Sequence, residues 1–292
     1  MKLQTRNRLF SAIVVKMRID SHYSTTKNDK TIKLPKFIII GLLLLTVGVG
    51  NVNAALKTWD GSSSANWNTS ANWTPSGVPT SSDDVVIPNN FNVTVNTAAV
   101  CASFTINGGK KENLITINTG QSLTVSGSVT IGAVTGGAVD KAIIVGNGTL
   151  TAGSVTMANN GNNNEDSYIS VLTGTVNVLG NITMNGSADR NQIVFLGAGT
   201  LNIGGTGTIT GGTISNETSS AVALTRGTVN YNGSTQTVGN YNYYHLTVSG
   251  SNTKTLQNGV SIGGNLNIGD ETTLDIGSNS LTVTGTTTIG GG

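Results

Sequence analysis

The chain has 292 residues, of which 39 are Gly and only 10% are charged, a composition that suits one elongated domain better than a compact one. Its net charge of +2 joins two unlike parts: residues 1–54 carry nine Lys or Arg against Asp20 and Asp29, whereas residues 55–292 carry seven basic residues against twelve acidic ones. A mildly acidic body whose few basic residues are scattered excludes a nucleic-acid surface, and Cys101, the only cysteine, excludes an internal disulfide and reads as a small core residue.

Taken in chain order, the first element is an apolar run at residues 37–49, preceded by Lys33 and Lys36 and followed by Val52, Asn53 and Ala54. A positive flank, a thirteen-residue apolar core and a small residue at the exit are the parts of a secretory signal. Residues 1–54 are therefore expected to be a signal peptide with an extended basic flank, cleaved after Ala54. A retained membrane anchor is the competing reading, but so short a run spans a bilayer poorly. Sec-type export places the mature chain outside the cell or on its outer surface, with membrane contact only through residues 37–49.

Residues 55–90 hold all three tryptophans, Trp59, Trp67 and Trp73, and three of the four prolines. The first coil of a solenoid exposes an apolar end and unpaired strand edges. Large aromatics followed by prolines that cannot donate ladder hydrogen bonds are suited to covering that end, so this segment is expected to be an N-terminal cap. The functional alternative is a sugar-stacking platform.

From residue 91 onward the chain is expected to be repetitive. One phrase returns as Gln121-Ser122-Leu123-Thr124-Val125, Gly148-Thr149-Leu150-Thr151-Ala152, Gly174-Thr175-Val176-Asn177-Val178, Gly199-Thr200-Leu201-Asn202-Ile203 and Gly227-Thr228-Val229-Asn230-Tyr231. Its central aliphatics are 27, 26, 25 and 28 residues apart, the period of a solenoid. Apolar residues alternate with Thr or Asn, as in a half-buried strand. A second apolar run precedes each phrase, for example at Tyr168, Ile169 and Val171 or at Gln192, Ile193 and Phe195, and a third follows it, as at Val155, Thr156 and Met157. Three short strands per period predict a right-handed parallel β-helix over residues 91–292, the hand following from the bias of parallel crossovers. A two-sheet sandwich would not explain a constant period with matching residues inside it. After Tyr231 the register changes, and Leu246, Leu266 and Thr287 continue at 20 and 21 residues.

Two stretches resemble a known family. The elements Trp59-Asp60-Gly61, Trp67-Asn68, Asn72-Trp73, Gly77-Val78-Pro79 and Asp83-Asp84-Val85-Val86-Ile87-Pro88 resemble the start of the repetitive surface β-solenoid proteins of gliding and gut Gram-negative bacteria. Gly227 to Gly233, with Gln236-Thr237-Val238 and Tyr243-Tyr244-His245-Leu246, resembles the internal repeat of the same family. The resemblance implies exported, adhesin-like proteins that use type IX secretion and a C-terminal sorting domain. This chain departs from that pattern by stopping at Gly290-Gly291-Gly292. The expectation is a reading frame or fragment that continues into further coils, with an open C-terminal edge prone to self-association.

Chemistry is sparse. Only His22 and His245 are present, so neither a metal site built on His or Cys nor a catalytic triad is expected. The acids Asp140, Glu165, Asp166, Asp189, Glu217, Asp270 and Glu271 fall in turns, and Asp275 sits outward on a strand. An acid pair on adjacent coils is what a polysaccharide lyase or hydrolase on this scaffold would use. The loop at residues 160–166 offers oxygen ligands for Ca²⁺ without EF-hand spacing, a solvated insertion being the plainer reading. Tyr231, Tyr241, Tyr243 and Tyr244 either stack on sugar rings or pack where the register changes. Outward Thr pairs such as Thr282 and Thr284 resemble those of ice-binding solenoids but do not persist on one face. The expected function is a non-enzymatic structural or adhesive module that holds a glycan or surface receptor, with an inert spacer and a polysaccharide-cleaving enzyme as competing classes.

Overall fold

A computed structural model of the chain describes residues 54–136, 139–160, 166–186, 190–216 and 226–291. The signal segment, residues 161–165 of the Ca²⁺ loop, the apolar run at 221–224 that precedes the Gly227 phrase, the acids Glu165, Asp189 and Glu217, and Gly292 lie outside the described residues. Among the described residues everything regular is strand, apart from a 3-10 turn at Ser70–Asn72.

The strands coil into a parallel β-solenoid. Its first face stacks nine strands, Ala98–Cys101, Ser122–Ile131, Thr149–Met157, Thr175–Val178, Thr200–Ile203, Thr228–Tyr231, His245–Val248, Leu266–Ile268 and Thr287–Ile289. The expected aliphatic column is there in register: Leu123, Leu150, Val176, Leu201 and Val229 are consecutive partners, and Leu246 and Leu266 extend it. All seven are buried, each contributing about 1.5–3 kcal/mol by leaving water. On the outside of the same strands an amide ladder climbs the stack. Asn202 Nδ2 donates to Asn177 Oδ1 at 2.9 Å, Asn230 Nδ2 to Asn202 Oδ1 at 3.1 Å, and Ser249 Oγ to Asn230 Oδ1 at 2.9 Å.

The second face follows each phrase, as in Ser103–Ile106, Ile182–Met184 and Ile209–Gly211. Its parallel ladder runs back through Asp84–Ile87 to Leu56–Trp59, so stacking already begins inside residues 55–90. The single antiparallel pair among the described residues lies there, joining Leu56–Trp59 to Trp73–Thr74. Trp59, Trp67 and Trp73 are buried, with ring centroids 4.8 Å apart edge to face, and Trp67 continues the stack onto Phe104 at 6.0 Å. Trp73 Nε1 donates to the Trp67 carbonyl at 2.8 Å. This aromatic cluster forms the N-terminal cap. Because all three rings are enclosed, it is not a sugar-stacking platform.

The third face precedes each phrase and comprises Val93–Val95, Asn113–Ile117, Lys141–Val145, Ser167–Val171, Asn191–Phe195 and Thr213–Asn216. Beyond it the coils tighten, for Leu201 and Val229 are 28 residues apart but Val229 and Leu246 only 17. Burial also thins toward the last described coil, where Ile289 is 70% exposed.

Tight stacking explains the glycine that opens most phrases. At Gly227 a Cβ would collide with the Phe195 ring of the coil below, and at Gly207, on a corner, with the Gly180 carbonyl. The collision at Gly227 is with a packed core ring, which cannot swing away.

A second column inside the solenoid is polar. Asn113, Lys141, Ser167 and Asn191 are register partners, each fully buried, at the inward position that opens their strands. Lys141 Nζ donates to Asn89 Oδ1 at 3.0 Å, the Lys111 carbonyl at 2.8 Å and Asn113 Oδ1 at 2.8 Å. Lys254 Nζ does the same for the carbonyls of Gly233 at 2.9 Å, Ser234 at 2.6 Å and Ser251 at 2.7 Å. Lys57 Nζ reaches the Pro75 carbonyl at 2.9 Å and that of Ser76 at 3.2 Å. These lysines, which in the sequence read only as scattered basic residues, pin corner loops to the interior.

Gly227→Ala is expected to lower the unfolding free energy by about 1–3 kcal/mol through overpacking, whereas Thr228→Ala, on the outward side, is expected to stay within about 0.5 kcal/mol. Urea unfolding of the two variants checks this. Burial pushes the Lys141 ammonium from its ordinary 10.5 down to about 8. Between those values the unfolded chain binds a proton that the folded chain has released, so this group's contribution to stability rises with pH across the window. The stability of the wild-type protein relative to Lys141→Met should therefore increase from pH 8 toward pH 10, while Lys254 and the buried tyrosines cancel in the comparison. A difference that does not change with pH would refute it.

Candidate functional site

Alternation along the third face sends Ile115, Ile143, Ile169 and Ile193 inward and leaves two outward columns. One is Ala142, Tyr168, Gln192 and Thr213; the other is Ile144, Ser170, Val194 and Ser215. Partners in such a column recur about every 4.8 Å. Ala142 at 0%, Ser170 at 4% and Val194 at 8% exposure are nearly covered although they point outward, and Ser170 and Val194 belong to the floor of a groove on this face.

The groove encloses about 370 Å³ and is lined by Asp140, Asp166, Tyr168 and Gln192 together with Ile144, Ser170, Val194 and Leu196. Asp140 and Asp166 stand at its entry edge, on neighbouring coils: the Asp166 N–H donates to Asp140 Oδ1 at 3.3 Å, and Arg190 Nη1 pairs with Asp166 Oδ1 at 3.3 Å. Leu196, 40% exposed, forms the opposite edge. Ser215 Oγ donates to Gln192 Oε1 at 3.3 Å, which links this groove to the next one along the same face.

That second pocket, of about 390 Å³, is lined by Thr213, Ser215, Asn216, Arg226, Asn242 and Tyr244 among others. The Arg226 guanidinium carbon lies 4.9 Å from the Tyr244 ring centroid, and Tyr244 in turn meets the His245 ring edge to face at 4.6 Å. His245 Nδ1 accepts the Asn265 N–H at 3.0 Å, and burial lowers its pKa. No nucleophile is paired with it in the described hydrogen bonds.

The four tyrosines do not form one surface. Tyr231 sits in the inward column between Ile203 and Val248, fully buried, and Tyr243 is buried beside it. Their hydroxyls are 2.9 Å apart, and Tyr243 donates to the Gly239 carbonyl at 2.8 Å. Burial pushes the Tyr231 hydroxyl up to about 12 and that of Tyr243 well above its ordinary value. These two rings fill the interior where the coils tighten, which corrects the expectation that they offer a face to a sugar. Tyr241 is half-buried and donates to the Gly211 carbonyl at 2.9 Å, away from the groove. Tyr244, together with the buried Tyr243, borders the second pocket of the third face. Tyr168 and Gln192, which do line the groove, were visible in the sequence as the leading residues of aligned strands, but nothing there marked the face as concave.

Among the described residues no group of three or more His, Cys, Asp or Glu converges on a point that would hold a metal ion. Asn160, at the start of the candidate Ca²⁺ loop, is turned inward: its Oδ1 accepts the Val134 N–H at 2.9 Å and its Nδ2 donates to Ser167 Oγ at 3.1 Å. Cys101 is buried, and desolvation raises its thiol to about 12, which favours the protonated form.

Comparison with known proteins adds a boundary rather than a chemistry. No curated protein and no solved structure matches the chain. Residues 58–191 match the model of a domain of unknown function, DUF8693, a span that begins with the tryptophan cap and ends one residue before Gln192 of the groove.

Proposed function

We propose that the chain is a non-enzymatic structural and adhesive module, exported to the outer cell surface or secreted, that holds a linear glycan along its third face. The observation that carries this reading is the groove in which Tyr168 and Gln192 stand one coil apart over a shielded floor, between the carboxylates of Asp140 and Asp166 and the apolar edge of Leu196. An aromatic ring packs on the apolar face of a sugar, while amide and carboxylate groups fix its hydroxyls. The groove is open along the solenoid and leads into a second pocket on the same face, an arrangement suited to a polymer. The export reading rests on the signal-like residues 37–49; no helix among the described residues is long and apolar enough to cross a membrane.

Asp140 and Asp166, on neighbouring coils, favour a second reading, cleavage of the bound polysaccharide by a carboxylate pair. One experiment separates the classes. The protein is incubated with soluble polysaccharides, and both retention on immobilised polymer and released oligosaccharide are measured. Retention without release is the expected outcome; release would establish the enzyme, and neither would leave an inert spacer. Tyr168→Ala is expected to weaken retention by about tenfold with the circular dichroism spectrum unchanged, the loss typical of one well-packed aromatic contact.

A further inference from the structure

The two pockets of the third face differ in charge. Carboxylates edge the first, and the cation beside it, Arg190, is already paired with Asp166 at 3.3 Å. No carboxylate lines the second among the described residues; around Arg226 it presents Thr213, Ser215, Asn216 and Asn242. Arg226 itself makes no hydrogen bond or ion pair with a described residue. Its described contact is the Tyr244 ring, with 4.9 Å from guanidinium to centroid. Stacking of this kind holds the guanidinium plane while leaving its N–H edge available, and that edge matches the two oxygens of an anion. Asn216 supplies an independent sign of a ligand. Its Nδ2 donates to the Asn242 carbonyl at 3.3 Å, but its Oδ1 is buried without a hydrogen-bond partner, an acceptor awaiting a donor such as a hydroxyl.

We infer that the Arg226 pocket binds an anionic substituent of a glycan, a carboxylate or a sulfate ester, with a neighbouring hydroxyl donated to Asn216, so that the polymer along the third face is acidic. This rests on the glycan-binding reading above. Thr213 and Ser215 line this pocket and are the register partners of Gln192 and Val194 in the first, so one chain laid along the face meets Tyr168 first and Arg226 a few coils later. An acidic peptide offers the anion but not the array of hydroxyls.

The test uses a polyuronate and a sulfated galactan, each beside its carboxyl-reduced or desulfated counterpart, with poly-glutamate as the peptide probe. Affinities are compared by retention in polymer-loaded native gels. For at least one pair the acidic form is expected to bind about tenfold more tightly than its neutral counterpart, the scale of one charge-assisted contact; the pair that shows it tells carboxylate from sulfate. Raising the salt to 0.5 M should shrink the gap. Arg226→Gln should bring the two forms to equal affinity, Arg226→Lys should restore part of the preference, and Tyr168→Ala should weaken both forms alike. Equal affinity of acidic and neutral forms, a preference that survives Arg226→Gln, or poly-glutamate bound as tightly as the acidic glycan overturns the inference while leaving the glycan reading in place. Failure of every polysaccharide to bind overturns both.

Discussion

Beyond the cap, the strands of this solenoid complete their ladder hydrogen bonds with the coils before and after them, and every other feature answers to that dependence. A two-stranded corner or a single coil would leave N–H and C=O groups bare on both edges and an apolar ladder open to water. Stacking in register solves both problems at once, because a side chain placed inward on one coil is inward on all of them. The same rule makes errors cumulative: a one-residue slip would turn Leu150 outward and bring Thr149 into the column of Leu123 and Val176. Glycines at the phrase starts and corners allow neighbouring coils to approach this closely.

The interior is not uniformly apolar, and its polar column follows from the corners. Where the chain turns between faces, carbonyls point inward without a strand partner, and an ammonium with three donors gathers them. Lys141 and Lys254 each bind three oxygens, and Lys57 binds two, so the desolvation that lowers the pKa of Lys141 and Lys254 is partly offset by hydrogen bonds to the charged form. Removing such a lysine strips several buried carbonyls of their donor at once.

How far the sequence could be read depended on whether a feature is local or spread over coils. The column from Leu123 to Val229 was legible because period and alternation are both present in the chain itself. Tyr231 was legible by the same rule, since Val229 points inward and Tyr231 lies two residues on; grouping it with Tyr241, Tyr243 and Tyr244 as neighbours in sequence obscured this. Alternation with Ile143 turns Lys141 inward, but what satisfies its ammonium there was not legible, because its acceptors Asn89, Lys111 and Asn113 lie 28 to 52 residues away in the chain. The groove falls between these cases. Tyr168 and Gln192 occupy matching places in aligned strands, but the near-complete burial of the outward residues Ala142, Ser170 and Val194 is not written in their alternation.

The tightening of the coils gives the molecule a graded response to tension. Its ladder hydrogen bonds run along the long axis, so a load applied at the ends opens them rung by rung, as a zipper opens, rather than shearing a whole sheet. Each rung that lets go releases one coil of slack. For the 28 residues between Leu201 and Val229 and the 17 between Val229 and Leu246, that is about 100 Å and about 60 Å of extension at roughly 3.5 Å per residue. The chain can thus lengthen in discrete steps while the coils still closed keep their shape.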